Sequence, residues 1–483
     1  MASAPQPSSA ATGRRFSPFA WAIFALGLVL RLLYLGHKSL WLDEAATYTL
    51  CRLPFREFAH AWWTHEANMT VYYGFMRLWV HLGSSEFMLR LPSALCGAAA
   101  VPVLYEIARR LFDRNVAWMA ALLLAVNPSF IELSQDARSY PMTLLLVLAS
   151  AWFYIDALET DSIRSWTGYV SFASIAVYAH FFAALIIAAF FFAFLAKARA
   201  ERRWLRGMLA YVALGLLCLP AAAFVVFRSQ TLDLYWLDTP SAKMLWNFAK
   251  FLFGSGAKVV IALLLLVLGA WFVWSHREWR WRAFFLSLWL LLPVAITALG
   301  SMHHSIFAFK YLLICLPAGL LLCTVGAARL PWRWGCIVVA VLTAASIFTD
   351  VQFYRKPRED WRALNQFVVT RYQPGDAVTF YPWYTRTAFD YYHERTGPAG
   401  LAFGVPMVPP DDLAGTAEDR AHPERVVEGL TNPRIWVVIY HPDRPVPHEN
   451  ERVQTLVSAV PAGYAQVEKK DFPNLELRLF EKR

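Results

Sequence analysis

Long, nearly uninterrupted runs of apolar residues limit the fold of this chain more than any other feature of its sequence. Many of these runs reach the roughly 17–25 residues that an α-helix needs to cross the hydrocarbon core of a bilayer. Of the 483 residues, 58% are hydrophobic, whereas soluble domains are closer to about half apolar. The chain is therefore predicted to be a polytopic α-helical membrane protein.

Hydropathy predicts about eleven transmembrane helices, and the first of them is interpreted as an uncleaved span and not as a signal peptide. The predicted spans are 17–36, 88–108, 115–133, 140–157, 166–182, 183–196, 208–227, 259–275, 283–299, 311–328 and 335–350. The pair on either side of His180 could equally be two short spans or one long bent element. Residues 1–350 are thus predicted to form a transmembrane module.

The positive charges predict how the chain is oriented in the membrane. Arg14 and Arg15 precede the first span, and the net charge of +10 is concentrated in short loops. Basic stretches fall at alternate loops: 108–114, 197–206, 276–282 and 328–334. By the positive-inside rule, we predict a multi-pass protein of the inner (plasma) membrane with a cytoplasmic N-terminus and an extracytoplasmic C-terminus. This charge placement is not a nucleic-acid-binding patch, so no nucleic acid partner is expected.

The composition changes after residue 350, where proline and charged residues rise and the long apolar runs stop. The stretch "REDWRALNQFVVTRY" is typical of a helix, whereas "DAVTFY", "RIWVVIY" and "LELRLF" are typical of strands. We therefore predict that residues 351–483 form a small α/β domain on the extracytoplasmic face. Without a glycine-rich phosphate loop or a nucleophile elbow, this domain is interpreted as a cap or an acceptor-handling module.

Two adjacent carboxylates, Asp43 and Glu44, lie in the long loop 37–87 between the first two predicted spans. A carboxylate held near the headgroup plane can act as a general base or as a metal ligand, because partial desolvation raises its basicity. The alternative is an ordinary solvated loop, and two adjacent acids alone do not decide between them. The same loop contains "TVYYGFMRLWVHLG", which predicts an interfacial helix.

Further polar residues are predicted on the same side of the membrane. Asp136 and Arg138 occupy a short loop, where they could face a cavity, bind a phosphate or form an internal ion pair. Lys310 and Tyr311 begin the tenth span, and this lysine could either anchor the helix or meet an anionic headgroup. His180, a lone histidine at the outer end of its span, is better explained as a structural histidine than as a functional one. The His303–His304 pair lacks carboxylates at metal-site spacing, so no metal is assigned to it.

Several short motifs occur in an order that is typical of one family. They are "LRLLYLGHKSLWLDEAATY", "YYGFMRLWVHLGSSEFMLRLPSAL", "NPSFIELSQDARSYPMTLLL", "YAHFF", "FKYLLICLPAGLLL" and "REDWRALNQFV". Together they resemble the bacterial GT-C glycosyltransferases of the dolichyl-phosphate-mannose–protein mannosyltransferase-like group (glycosyltransferase family 39), which is related to the aminoarabinose transferase of lipid A. The resemblance covers most of the membrane part and the start of the C-terminal domain.

This resemblance implies a GT-C type membrane fold and transfer of a sugar from a polyprenyl-phosphate donor on the external face, typically with inversion. Asp43 would be the base that deprotonates the acceptor hydroxyl, and Glu44 would support it as a catalytic residue. The other implied roles are donor phosphate binding by Arg138, Lys310 and Tyr311, and a supporting or acceptor-site role for Asp136, Tyr140 and His180. The cofactor is left open, with a divalent cation near Asp136 as the candidate. There are three departures from the family pattern: Lys310 stands where the family usually has Arg, Asp136 where the second loop more often has Glu, and "ANMTVYY" where the family often has Pro-Pro-Leu-Tyr.

The sequence is thus interpreted as a hexosyl- or pentosyltransferase that uses a polyprenyl-phosphate sugar and lies among membrane lipids. Its acceptor stays open among a glycolipid, a polysaccharide and a protein. The alternative is a lipid-sugar flippase or transporter without transferase activity. Such proteins usually carry charges near the bilayer midplane and often have inverted repeats. Here the conspicuous charges lie at the ends of spans and no inverted repeat is evident, which favours an enzyme.

Overall fold

The computed structural model describes residues 18–64, 67–201, 204–229, 241–302, 306–405, 422–441 and 449–483. Within these ranges the chain is mostly helical and ends in a small mixed β-sheet. Two sets of residues named in the sequence analysis lie outside the described residues. They are Arg14 and Arg15, which were used to predict the orientation, and the His303–His304 pair, to which no metal was assigned.

The α-helices and the strands are each numbered in chain order, and the strands are interspersed with helices after α17. The helices are α1 (Pro18–Leu32), α2 (Leu42–Arg52), α3 (Phe55–Thr64), α4 (Thr70–Trp79), α5 (Glu86–Leu111), α6 (Arg114–Ala125), α7 (Pro128–Ser134), α8 (Tyr140–Thr160), α9 (Ile163–Ala179), α10 (Ala183–Glu201), α11 (Leu205–Ser229), α12 (Ala242–Phe253), α13 (Ala257–Ser275), α14 (Arg280–Gly300), α15 (Leu316–Arg329), α16 (Trp332–Arg355), α17 (Trp361–Arg371), α18 (Arg386–Thr396) and α19 (Glu449–Ala459). The strands are β1 (Ala377–Tyr381), β2 (Ala402–Phe403), β3 (Arg434–Tyr440), β4 (Tyr464–Phe472) and β5 (Leu475–Lys482).

Each of the predicted spans coincides with a helix or with the bent pair α6–α7. Within the described ranges, eight helices are long and apolar enough to cross a membrane, and the bent pair would make a ninth. Helix α1, with 15 residues, and α9, with 17 residues, are shorter than these. The polytopic membrane fold is therefore confirmed. Around His180 the chain forms two helices, because α9 ends at Ala179 and α10 begins at Ala183.

Helices α13 and α15 pack closely because two glycines face each other across the contact. A Cβ atom added to Gly269 would lie 2.0 Å from the carbonyl oxygen of Leu322, and one added to Gly326 would lie 2.0 Å from that of Leu265. Small residues of this kind allow helix backbones to approach in a membrane, where association depends on close packing. Any side chain at these positions would push the two helices apart.

One span is broken shortly before the loop that carries Asp136. Helices α6 and α7 meet at an angle of 54°. The Asn127 side chain accepts a hydrogen bond from the backbone N–H of Phe130 at 3.0 Å and so caps α7, while Arg31 donates to the carbonyl of Ala125 at 3.0 Å. These bonds satisfy backbone groups that would otherwise be left bare in an apolar environment.

The C-terminal domain is built on a five-stranded sheet in the order β2-β1-β3-β5-β4. Strand β1 pairs in parallel with β2 and β3, whereas β5 pairs antiparallel with β3 and β4. The predicted helix corresponds to α17, and the three predicted strands correspond to β1, β3 and β5. The small C-terminal α/β domain is therefore confirmed, while its position on the extracytoplasmic face stays a prediction.

Candidate active site

The Asp43 carboxylate lies in the first turn of α2, where two cations approach it. Lys310 donates a hydrogen bond to Asp43 Oδ2 at 3.0 Å, and Arg138 Nε lies 4.0 Å from the same oxygen. The Asp43 side chain is 29% exposed, so it is reachable from outside. Burial alone would raise the pKa of Asp43, but the charges of Lys310 and Arg138 outweigh it and lower the pKa below its ordinary value. The group is therefore held as a carboxylate.

Arg138 joins three separate segments around this carboxylate. Its Nη1 lies 3.3 Å from the Tyr73 hydroxyl in α4, 3.4 Å from the backbone oxygen of Asp43 and 3.5 Å from Thr47 Oγ1 in α2. The backbone carbonyl of Arg138 accepts a hydrogen bond from Ser93 Oγ of α5 at 2.8 Å. The guanidinium is thus placed beside the acid by the first long loop and the short α7–α8 loop together.

Aromatic rings form the wall around the Lys310 ammonium. Its Nζ lies 5.4 Å from the ring centroid of Trp41 and 5.8 Å from that of Tyr140. The rings of Tyr140 and Tyr311 are stacked with centroids 6.2 Å apart. A cation near aromatic faces is stabilised there with little hydration, so this ammonium can bind an anion while partly desolvated.

His180 packs behind this aromatic wall. It is 1% exposed, and its ring centroid lies 4.8 Å from that of Tyr311 and 5.8 Å from that of Tyr140. Asn68 Nδ2, from the segment that departs from the family pattern, lies 3.4 Å from His180 Nε2. This environment is that of a packed structural histidine, and the acceptor-site role predicted for His180 and Tyr140 stays a prediction.

Glu44 faces the protein interior, whereas the neighbouring Asp43 is partly exposed. Its carboxylate is fully buried and accepts two hydrogen bonds from Arg90, at 2.7 Å from Nε and 2.6 Å from Nη2. It also accepts from the backbone N–H of Ala137 at 2.9 Å and from that of Trp41 at 3.2 Å. Glu44 therefore ties α2, α5 and the α7–α8 loop to one another. Its predicted catalytic support of Asp43 stays a prediction.

Arg90 was not predicted as a site residue, although it holds the segment that leads into α2. Besides Glu44, its guanidinium donates to the backbone carbonyls of Leu35, Lys38 and Ser39 at 3.0, 2.8 and 2.9 Å. Charge-assisted bidentate pairs of this geometry are the strong ones in proteins. The signals in the sequence were a charged residue near the end of an apolar span and its place in the motif "YYGFMRLWVHLGSSEFMLRLPSAL".

Asp136 has its partner in the C-terminal domain. Its Oδ1 accepts a hydrogen bond from Arg358 Nη1 at 2.5 Å, and Arg358 also lies 3.5 Å from Glu132. Burial raises the pKa of Asp136 more than the charge of Arg358 lowers it. Arg358 is the first residue of the "REDWRALNQFV" motif, so the sequence marked the position without assigning it a role. The supporting role predicted for Asp136 stays a prediction.

Among the residues described, no group of three or more His, Cys, Asp or Glu side chains is arranged to hold a metal ion. The divalent cation considered from the sequence stays a prediction.

Residues 70–227 match the family described as dolichyl-phosphate-mannose-protein mannosyltransferase. The crystal structure of ArnT from Cupriavidus metallidurans bound to undecaprenyl phosphate superposes with a TM-score of 0.62 at 13% identity, covering 96% of this chain and 98% of that chain. This chain has the fold of ArnT. Apo ArnT gives a TM-score of 0.63 at 14% identity, covering 95% of this chain and 97% of that chain.

The archaeal oligosaccharyltransferase AglB from Archaeoglobus fulgidus, in complex with an inhibitory peptide and a dolichol-phosphate, is also similar. Its TM-score is 0.50 at 12% identity, and the match covers 88% of this chain and 69% of that chain. No curated protein matches this sequence. The predicted resemblance to GT-C glycosyltransferases is confirmed, through the family match over residues 70–227 and through the fold over nearly the whole chain.

Proposed function

We propose that this protein transfers a sugar, a hexose or a pentose, from a polyprenyl-phosphate donor to the hydroxyl of an acceptor. The observation that carries the proposal is the partly exposed Asp43 carboxylate, which has Lys310 at 3.0 Å and Arg138 at 4.0 Å. Support comes from ArnT, which has the same fold and was crystallised with undecaprenyl phosphate. An acid between two cations is suited to a reaction in which a hydroxyl loses a proton while a phosphate departs.

In the proposed reaction, Asp43 accepts the proton of the acceptor hydroxyl as the hydroxyl oxygen forms a bond to the anomeric carbon. The bond between that carbon and the phosphate oxygen breaks, and its electron pair leaves with the lipid phosphate. Lys310 and Arg138 stabilise the charge that develops on this leaving group. Attack from the face opposite the phosphate gives inversion at the anomeric carbon.

Lys310 also links phosphate binding to the basicity of Asp43. A carboxylate whose pKa is held low is a weak proton acceptor, and here Lys310 contributes to holding it low against the effect of burial. A donor phosphate that binds Lys310 would compete with Asp43 for the same ammonium. The pKa of Asp43 would then rise toward its ordinary value, so that donor binding would strengthen the base at the moment it is needed.

We propose further that the face bearing Asp43 and the C-terminal domain is extracytoplasmic. The helix ends on the opposite face carry the basic residues Arg109, Arg110, Arg206, Arg282 and Arg329. Basic residues at these helix ends support the orientation by the positive-inside rule. The acceptor, which the site geometry leaves open among a glycolipid, a polysaccharide and a protein, would then be met outside the cytoplasm.

The test is release of lipid phosphate by purified protein incubated with a panel of polyprenyl-phosphate sugars and candidate acceptors. We expect Asp43→Asn to abolish release while expression and donor binding persist. Asp471→Asn, at a side chain that is 76% exposed, is the matched control and should retain full turnover. Turnover like that of the wild type in Asp43→Asn would contradict the assignment of the base. Movement of donor across vesicles by a wild type that releases no phosphate would point to the flippase instead.

A further inference from the structure

The hydroxyl group of Tyr392, in the C-terminal domain, contacts the segment that precedes Asp43. Tyr392 of α18 accepts a hydrogen bond from the backbone N–H of Leu40 at 2.7 Å, and Ser39 Oγ lies 3.1 Å from the same oxygen. The Tyr392 hydroxyl in turn donates to Glu86 Oε1 at 3.2 Å. A phenolic hydroxyl has one donor and two acceptor positions, so all of them are in use. Leu40 is followed directly by Trp41 and the first turn of α2.

The C-terminal domain contacts both ends of the long first loop. Glu86 begins α5 at the far end of the loop, and its Oε1 accepts two hydrogen bonds from Arg362 of α17, at 3.2 and 2.7 Å. Arg362 also donates to the backbone carbonyl of His37 at 3.2 Å, at the near end. The domain thus joins the start of the loop to its end and limits the movement of α2 between them.

A second contact from the domain lies on the other side of the site. Arg358, in the link between α16 and α17, is paired with Asp136 at 2.5 Å, and Asp136 lies in the same short loop as Arg138. The Arg358 guanidinium is also 5.6 Å from the ring centroid of Trp41, which Lys310 approaches to 5.4 Å. Arg358 therefore contacts the segment that carries the acid and the loop that carries one of its cations.

We propose that Tyr392 and Arg358 are positioning residues that fix Asp43 relative to Lys310 and Arg138, and that the C-terminal domain is part of the active-site framework. The catalytic part of this inference rests on the proposed function above. Active-site groups need to be held to within about 0.5 Å, and a displacement of about 1 Å can lower a rate about 100-fold. A bond to the backbone of Leu40 acts close enough along the chain to control Asp43 at that scale.

The test compares Tyr392→Phe with Tyr464→Phe, which removes a hydroxyl that donates to the Asn432 carbonyl at 2.8 Å inside the same domain. We expect Tyr392→Phe to speed hydrogen exchange of the backbone amides at 40–47 and to lower kcat about tenfold. The donor KM should stay within about twofold of the wild type, because Tyr392 does not touch the substrate. The control should change neither quantity.

Arg358→Gln and Arg358→Lys form the second pair of variants. We expect the glutamine to lower kcat about tenfold or more, because it leaves the buried Asp136 without its cation. The lysine should recover part of that loss because it restores the charge. Equal kcat values for the two would overturn the assignment of Arg358.

The outcomes for Tyr392→Phe separate the inference from the proposed function. Exchange at 40–47 equal to that of the control overturns the positioning role, whatever the activity. A lower kcat with unaltered exchange also overturns it, because Tyr392 would then act by another route than α2. If the wild type turns over no donor in the panel, the proposed function fails and the catalytic part of the inference falls with it. The exchange measurement still shows whether the domain holds α2.

Discussion

Loss of charge should affect the two adjacent acids differently: at Glu44 it should lower the stability of the protein, and at Asp43 it should remove the transfer activity. Glu44 is fully buried and accepts four hydrogen bonds, two of them from the guanidinium of Arg90, which is only 2% exposed. Glu44→Gln would leave a buried cation without its anion and would place an amide N–H₂ against existing donors. Breaking a buried ion pair by removing one partner costs about 3–5 kcal/mol. We expect a loss of unfolding free energy in that range.

Asp43→Asn is the matched comparison at the neighbouring position. Its ion pair with Lys310 joins side chains that are 29% and 32% exposed, so the pair is partly screened by solvent. Pairs of this kind contribute about 0–1 kcal/mol. Asp43→Asn should therefore unfold almost like the wild type while losing transfer activity. Denaturant or thermal unfolding in one detergent, with all variants measured side by side, provides the assay.

A double variant tests whether the cost at Glu44 arises from the unpaired charge. Combining Glu44→Gln with Arg90→Met removes both buried charges, and replacing a buried pair by apolar groups is often nearly neutral. Most of the unfolding free energy lost in Glu44→Gln should return in the double variant. The part that does not return corresponds to the hydrogen bonds that Arg90 makes to backbone carbonyls, which methionine cannot make. A Glu44→Gln protein as stable as the wild type would refute the reasoning, and so would a double variant less stable than either single one.

Two further predictions concern pH dependence and helix packing. Lys310→Met should move the acid limb of the kcat/KM profile to higher pH. Burial then raises the pKa of Asp43 with less opposing charge, so the active carboxylate becomes protonated at a higher pH. An unmoved limb would exclude Asp43 as the titrating base. Gly326→Ala should lower the unfolding free energy by about 1–3 kcal/mol, because its Cβ would meet a backbone oxygen of α13 at 2.0 Å. Gly215→Ala, where an added Cβ meets nothing within 4 Å, is the control, and equal losses in the two would contradict the packing described.

The membrane part could be predicted from the sequence because apolar length is a local property. Each predicted span has a helix in the structure, including the two short ones on either side of His180. Strand β4 was missed for the converse reason. Its sequence, "YAQVEKKDF", is polar on both faces because it lies at the edge of the sheet beside β5, so it shows no alternation of apolar and polar residues.

The sequence predicted which types of residue form the site, but not which of these residues pair with one another. Successive residues on a helix point about 100° apart, so Asp43 and Glu44 could be told apart only once the start of α2 at Leu42 was known. The pairs Glu44–Arg90 and Asp136–Arg358 join positions 46 and 222 residues apart. Which acid meets which cation depends on how helices distant in sequence pack, and no local pattern records it.

The bend between α6 and α7 also bears on how far a lipid-linked donor would have to move in the proposed reaction. Helix α7 has seven residues and is about 10 Å long, and a bend of 54° reduces its rise along the axis of α6 to about 6 Å. Measured along the axis of α6, the loop after α7 therefore lies about 4 Å closer to α6 than a straight span would place it. Drawing a polyprenyl chain out by 4 Å would expose about three carbon units, at roughly 0.8 kcal/mol each. In the proposed reaction, the broken span would bring the charges of this loop closer to the lipid phosphate, so that less of the donor's tail would have to leave the bilayer.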